Sequence, residues 1–134
     1  SCMYITWETY QCGNVLSLIV SCGWGFDMNT HSVYLYDTAT GEQMTTAQLL
    51  ETLQVEPETF LAAVRQAAAE RVGGDTDELV AERRAWTLSD ENINLDVMTY
   101  ADAAGNLYVY LPIGSIAGAA SYEEPLTLDL GAAG

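Results

Sequence analysis

His31 is the only histidine in the chain, so it is the first residue to consider for catalysis or metal binding. A metalloenzyme needs at least three convergent ligands, which one histidine and three scattered cysteines do not readily supply. A site built on two histidines is excluded, and His31 would have to act as the only imidazole base. We therefore predict no metal, no cofactor and no catalytic residue, and we expect His31 in a loop or at a strand edge.

Carboxylates are the most abundant groups with chemical potential, because the chain has 19 Asp and Glu. Residues 75–78 lack the central glycine and distal glutamate of an EF-hand loop, so only weak, adventitious calcium binding is expected there. A glycoside hydrolase needs two carboxylates at a set distance in space, and in so acidic a chain such pairs arise by chance. A small hydrolase is therefore the least favoured function. Its candidate acids are Glu123-Glu124, Asp90-Glu91 and Asp27.

The charge balance restricts the partners of the chain. Four arginines and no lysine oppose the acids, which leaves a formal net charge of -15 and a pI near 4.1. Nucleic acid is excluded as a partner because its phosphates require a basic surface. Cationic proteins and peptides would be attracted, although the charge can also serve solubility alone.

The first elements that could position a site are two strands, predicted over residues 3–10 and 15–22. If Cys12-Gly13 forms a two-residue turn, Trp7 lies opposite Leu18 and Ile5 opposite Val20. These side chains then share one apolar face, which comprises Ile5, Trp7, Leu16, Leu18 and Val20.

The three cysteines are spaced by ten residues and form no C-x-x-C pair. In the predicted hairpin register Cys2 lies opposite Gly23, and Cys22 points to the other face of the sheet. The two sulfurs then cannot meet, and we predict that Cys2, Cys12 and Cys22 are all free thiols.

Residues 23–31 combine aromatic side chains with glycines and polar residues, which predicts a loop with bulky tips. Large apolar side chains in a loop either fold back onto the core or contact a partner. We predict Trp24, Phe26 and His31 as partner-binding residues.

The remainder of the chain predicts helices between strands. Thr45 and Gln48 fit a capping box, and Pro57 suits the first turn of a second helix that ends at Gly73-Gly74. Residues 75–88 are compatible with a short helix or with a loop. Strands are predicted over 32–37, 93–97, 107–111 and 126–130.

This order of elements, without βαβ alternation, predicts an α+β fold. We expect a mostly antiparallel sheet of about five to six strands packed against two to three helices. A chain of 134 residues suits one domain, here residues 1–134. No apolar run is long enough for a transmembrane helix, and the exposed edge of a small sheet suits a monomer or a homodimer.

Several segments resemble the domain of unknown function at the extracellular end of RsiV-like anti-sigma factors, which also accompanies PdaC-like peptidoglycan deacetylases. The resemblance covers residues 16–50, and the later segments 105–113 and 115–122 look like the tails of secreted proteins of anaerobic Firmicutes. The segments that carry it are Leu16-Ser17-Leu18-Ile19-Val20, Ser32-Val33-Tyr34-Leu35-Tyr36-Asp37-Thr38-Ala39-Thr40-Gly41 and Thr45-Thr46-Ala47-Gln48-Leu49-Leu50.

What the resemblance implies is an extracellular or cell-envelope domain, excised from a longer secreted or membrane-anchored protein. In one branch of the family this domain senses lysozyme, which is cationic and suits an acidic partner. We therefore expect a non-catalytic binding or sensing module for a cationic protein. The alternative is an accessory domain that binds a cell-wall component and orients a peptidoglycan-modifying enzyme.

Overall fold

The computed structural model describes residues 3–25, 28–72, 78–114, 120–121 and 125–130. In chain order, the elements are β1 (Tyr4–Cys12), β2 (Val15–Gly25), β3 (Met28–Asp37), β4 (Gln43–Met44), α1 (Thr46–Thr52), α2 (Pro57–Val72), α3 (Glu78–Thr87), β5 (Met98–Ala101), β6 (Leu107–Tyr110), β7 (Ile113–Gly114), β8 (Ala120–Ser121) and β9 (Leu126–Thr127).

All strand pairs of the described residues are antiparallel. They form a four-stranded sheet of order β1-β2-β3-β4, a three-stranded sheet of order β5-β6-β9 and the pair β7-β8. Helices follow the first sheet and precede the second, so the fold is α+β, as the sequence predicts. The predicted strand 107–111 is confirmed as β6, and the predicted strand 126–130 is confirmed over its first two residues as β9.

The hairpin between β1 and β2 turns at Gly13 and Asn14, one residue later than predicted. Gly13 has φ of 57°, which suits the first central position of a two-residue hairpin turn. As a result Trp7 lies opposite Val20, and not opposite Leu18 as predicted. The predicted apolar face nevertheless keeps its members, because the pairing shifts by an even number of residues along β2.

The prediction of three free thiols is wrong, because Cys22 is disulfide-bonded while Cys12 is free. Cys2 lies outside the described residues. The prediction assumed strict alternation along the first strand. In the structure Met3 N donates to Gly23 O at 2.7 Å, although Tyr4 is also aligned with Gly23. Met3 and Tyr4 thus both oppose Gly23, and the strict alternation that the prediction assumed does not hold at this end of β1.

The predicted loop over residues 23–31 is also corrected, since β2 continues to Gly25 and β3 begins at Met28. Trp24 belongs to β2 and His31 to β3, while Phe26 lies outside the described residues. Cross-strand pairing overrides the loop-like composition here, and a register shift between Gly23 and Gly25 absorbs the irregularity.

On the inner face of the four-stranded sheet, the central strand β2 is completely buried at Val15, Ser17 and Ile19. Strand β5 lies across this face, where Ala101 N donates to Ser17 Oγ at 3.3 Å. Helices α1 and α2 complete the core with side chains at helical spacing. The fully buried members from these helices are Leu49, Leu50, Phe60, Val64 and Ala68.

The predicted helix starts are confirmed. Thr45 Oγ1 accepts from Gln48 N at 3.2 Å, and Gln48 Oε1 accepts from Thr45 N at 2.9 Å, which completes the capping box. Pro57 is the first residue of α2. The ambiguous segment 75–88 contains α3 over Glu78–Thr87, and the predicted end at Gly73-Gly74 lies outside the described residues.

Residues 93–97, predicted as a strand, form turns instead, and β5 begins only at Met98. The cause is the side chain of Asn94. Its Nδ2 donates to the carbonyl oxygens of Asp90 and Glu91, and its Oδ1 accepts from Asp96 N at 2.8 Å. Such side-chain bonds compete with strand pairing for the backbone.

We predict that Ser17→Ala destabilises the fold by about 1–3 kcal/mol, because it leaves the buried N–H of Ala101 without its acceptor. Urea unfolding measures the loss. Ser32→Ala is the matched control, because Ser32 is exposed on the neighbouring strand β3. Equal stabilities of the two variants would contradict the prediction.

We also predict one reactive thiol per chain, that of Cys12, when the protein is denatured without reductant, since Cys22 is bonded. Thiol titration after reduction should yield all three cysteines of the sequence. A count of three before reduction would show that Cys22 is free.

Candidate binding surface

The side of the four-stranded sheet opposite the core carries an apolar surface. The even-numbered residues of β2 point to this side, together with the β1 and β3 residues paired to them. Trp7 is 70% exposed, Ile5 61% and Tyr34 38%. We name this surface the outer sheet face. It comprises Ile5, Trp7, Leu16, Leu18, Val20, Tyr34 and Tyr36.

The outer sheet face is also free of charge. The other described positions of β1–β3 that point to this side are Thr9, Gln11, Cys22, Thr30 and Ser32. None of these residues, and none of the seven that define the face, is acidic or basic. The chain has 19 acids, yet this face combines exposed aromatic residues with an absence of charged ones. Large exposed apolar patches are more frequent at interaction sites than elsewhere on protein surfaces.

A tyrosine cluster, formed by Tyr10, Tyr100, Tyr108 and Tyr110, lies on the inner side of the same sheet. The ring centroids of Tyr10 and Tyr100 are 5.6 Å apart, and those of Tyr100 and Tyr108 are 5.0 Å apart, in nearly parallel planes. Tyr110 contacts Tyr100 at 5.9 Å. The cluster thus joins β1 to β5 and β6 by stacking.

Carboxylates accept hydrogen bonds from two hydroxyls of the cluster. Tyr10 OH donates to Glu8 Oε2 at 3.2 Å, and Tyr108 OH donates to Asp102 Oδ2 at 2.9 Å. Bonds from Asn106 hold the pKa of Asp102 below its usual value. Burial raises the pKa of Tyr10, and the bond to Asp102 raises that of Tyr108. These tyrosines therefore stay protonated at neutral pH and act as donors, not as bases.

His31 packs against the edge of the cluster. Its ring stacks on Tyr110 with centroids 4.3 Å apart and planes 14° apart, and its Nδ1 lies 2.7 Å from Ser21 Oγ. These contacts give the only histidine a role in joining β3 to β6. The predicted partner contacts of His31, Trp24 and Phe26 stay predictions. The side chain of Trp24 and the whole of Phe26 lie outside the described part of the structure.

Of the acids considered for hydrolysis, Asp90 and Glu91 lie in the part of the chain that the structure describes. Asp90 forms an ion pair with Arg65. Glu91 and Asp96 line a cavity of about 310 Å³ with Asn92 and Asn94, whose amides bond to the backbone. Asp27, Glu123 and Glu124 lie outside the described residues. Among the side chains that are described, no group of three His, Cys, Asp or Glu could hold a metal ion.

The sequence already contained a signal for the outer sheet face. Residues 15–20 form an almost continuous apolar run, and such a run indicates a strand with apolar side chains on both faces. The core covers only one of these faces. Sequence reasoning grouped Ile5, Trp7 and Leu18 correctly, but it sought the binding residues in the segment 23–31.

No protein-family model, curated protein or solved structure matches this chain. In the described ranges, no helix has the length and apolar character required to cross a membrane.

We predict that alkaline pH destabilises the protein through the tyrosine cluster. Burial raises the pKa of Tyr100 well above the usual value of a tyrosine. A group whose pKa is higher in the folded state stabilises the fold fully when the pH is below its unfolded-state pKa. That stabilisation is lost as the pH rises through the folded-state pKa. Stability should therefore fall above about pH 10. Tyr100→Phe should flatten this fall by up to about 1.4 kcal/mol per pH unit.

Urea unfolding across this pH range measures the slope, with Tyr34→Phe on the outer sheet face as the control. Identical slopes for Tyr100→Phe and the unaltered protein would contradict the assignment.

Proposed function

We propose that this chain is a non-catalytic binding module that docks a cationic protein on the outer sheet face. The observation that carries the proposal is the exposure of Ile5, Trp7 and Tyr34 on a face without charge. Exposed aromatic side chains on an uncharged patch are typical of binding hot spots.

The charge of the chain supports a cationic partner. The net charge of -15 resides outside the outer sheet face, so it attracts a basic protein from a distance without being desolvated in the contact. The charge then sets the association rate, and the apolar face supplies the affinity. The two contributions can be separated by varying the salt concentration, because salt screens the charge attraction and not the apolar contact.

The disulfide of Cys22 supports an extracellular or cell-envelope location, because disulfides persist in oxidising compartments. This agrees with the resemblance to RsiV-like domains. Membership of that family, and the alternative of an accessory domain for a wall-modifying enzyme, are hypotheses that rest on the resemblance alone.

The experiment is a calorimetric titration with lysozyme as the cationic probe, at low and at physiological salt. We expect saturable binding at both. Trp7→Ser should weaken binding by at least about tenfold, because it removes a large apolar contact. Trp86→Ser is the matched control, since Trp86 is 44% exposed but lies on α3.

Binding at low salt only, or equal effects of the two variants, would contradict docking on the outer sheet face. Absence of binding at either salt, with binding to insoluble peptidoglycan instead, would favour the accessory role.

A further inference from the structure

The free edge of β1 adjoins the outer sheet face, and its backbone orientation follows from one hydrogen bond. Thr38 N donates to Asn14 O at 2.8 Å, so the even-numbered residues of β2 direct their backbone groups to β3. The odd-numbered residues then direct theirs to β1, because backbone groups alternate along a strand. In the observed register these bonds reach the even-numbered residues of β1.

The odd-numbered residues Ile5, Trp7 and Thr9 therefore direct their N–H and C=O away from β2. In the part of the chain that is described, β1 pairs with β2 alone. The side chains of the same three residues point to the outer sheet face. Unpaired backbone groups and uncharged side chains thus lie along one edge.

This edge lacks the proline and the lysine with which many proteins prevent strand pairing, and its one charged residue is Glu8. Strand β1 is nine residues long, with no proline and no basic residue. Natural edge strands are usually shortened, covered or protected by such residues. A long edge strand beside an apolar face is the geometry that receives an added strand, and the charge of Glu8 restricts which strand can be added.

The charge on the inner side of this edge determines which strand fits. Glu8 is exposed on the inner side of β1, and Asp102 lies near Tyr10 on the same side. Arg65 is engaged with Asp90 and Arg84 donates to Ala69 O, so these cations serve other elements. A strand added beside β1 would direct every second side chain to the inner side, where a basic residue close to Glu8 is complementary.

We propose that β1 receives an extended segment of the partner as a fifth strand, with apolar residues on the outer sheet face and Lys or Arg on the inner side. This deepens the proposed function, on which it rests, by stating how the cationic partner docks. A second copy is disfavoured as the occupant, because self-pairing would bring two chains of charge -15 together and place two copies of Glu8 along one seam.

The probe is a nine-residue peptide in which lysine alternates with valine, matched in length to β1. A peptide in which glutamate replaces lysine is the charge control. We expect saturable binding of the lysine peptide at physiological salt and at least about tenfold weaker binding of the glutamate peptide. On binding, amide hydrogen exchange should slow at Trp7 and Thr9, whose N–H groups face the open edge.

Thr9→Pro tests the backbone contact directly. It removes an N–H that faces the open edge and leaves the bonds between β1 and β2 in place. Thr9→Pro should weaken the binding of the lysine peptide by at least about tenfold. Thr9→Ala keeps the N–H, so its affinity for the peptide should stay within about twofold of that of the unaltered protein. Thermal unfolding of both variants verifies that they are folded.

Three outcomes would overturn strand addition. They are no binding of the lysine peptide, equal binding by Thr9→Pro and Thr9→Ala, and a dimer in light scattering with slow exchange at Trp7 before peptide is added. If Trp7→Ser still weakens the binding of lysozyme while Thr9→Pro does not, the outer sheet face remains the binding surface and only the proposed mode of docking is wrong.

Discussion

The packing of β5 across the inner face of β2 is the constraint on which the rest of the structure depends. At this crossing Ser17 is completely buried and accepts from Ala101 N. The N–H of Asp102 bonds to Asn106 O within the β5–β6 hairpin, so the N–H of Ala101 points the opposite way, toward β2. A small side chain with an acceptor lets the strands approach and pairs a donor that would otherwise be orphaned in the core.

This crossing determines which face of β2 is buried in the core. Val15 and Ile19 lie on either side of Ser17 on the inner face and pack into the core. Leu16 and Leu18 alternate with them and are directed outward. Strand β2 is therefore apolar on both faces while the described helices cover only one. An apolar face that the fold does not use is more informative about function than any charged group on this chain, because exposing it has a cost that folding alone does not explain.

Sequence reasoning predicted the parts of the fold that depend on local chemistry. The capping box at Thr45, the start of α2 at Pro57 and the α+β class all follow from short-range patterns. The errors arose where non-local contacts decide. The bulge near Gly23 and the turn at Gly13 depend on the pairing of two strands, and a shift of one residue at a turn changes every cross-strand neighbour.

The candidate surface was missed for a related reason. A face is assigned to core or surface by what packs on the other side of the sheet, and periodicity alone does not contain that information. Ile5, Trp7 and Leu18 share a face in either hairpin register, so sequence reasoning could group them but could not decide whether that face is buried. The distribution of charge also distinguishes this face from the other side of the sheet. Random placement of 19 acids would scatter carboxylates over every surface of this sheet, but the strands carry Glu8 on the inner side and no acid among the outer positions. The proposed function thereby assigns long-range attraction and short-range contact to different parts of the chain, with the acids outside the outer sheet face.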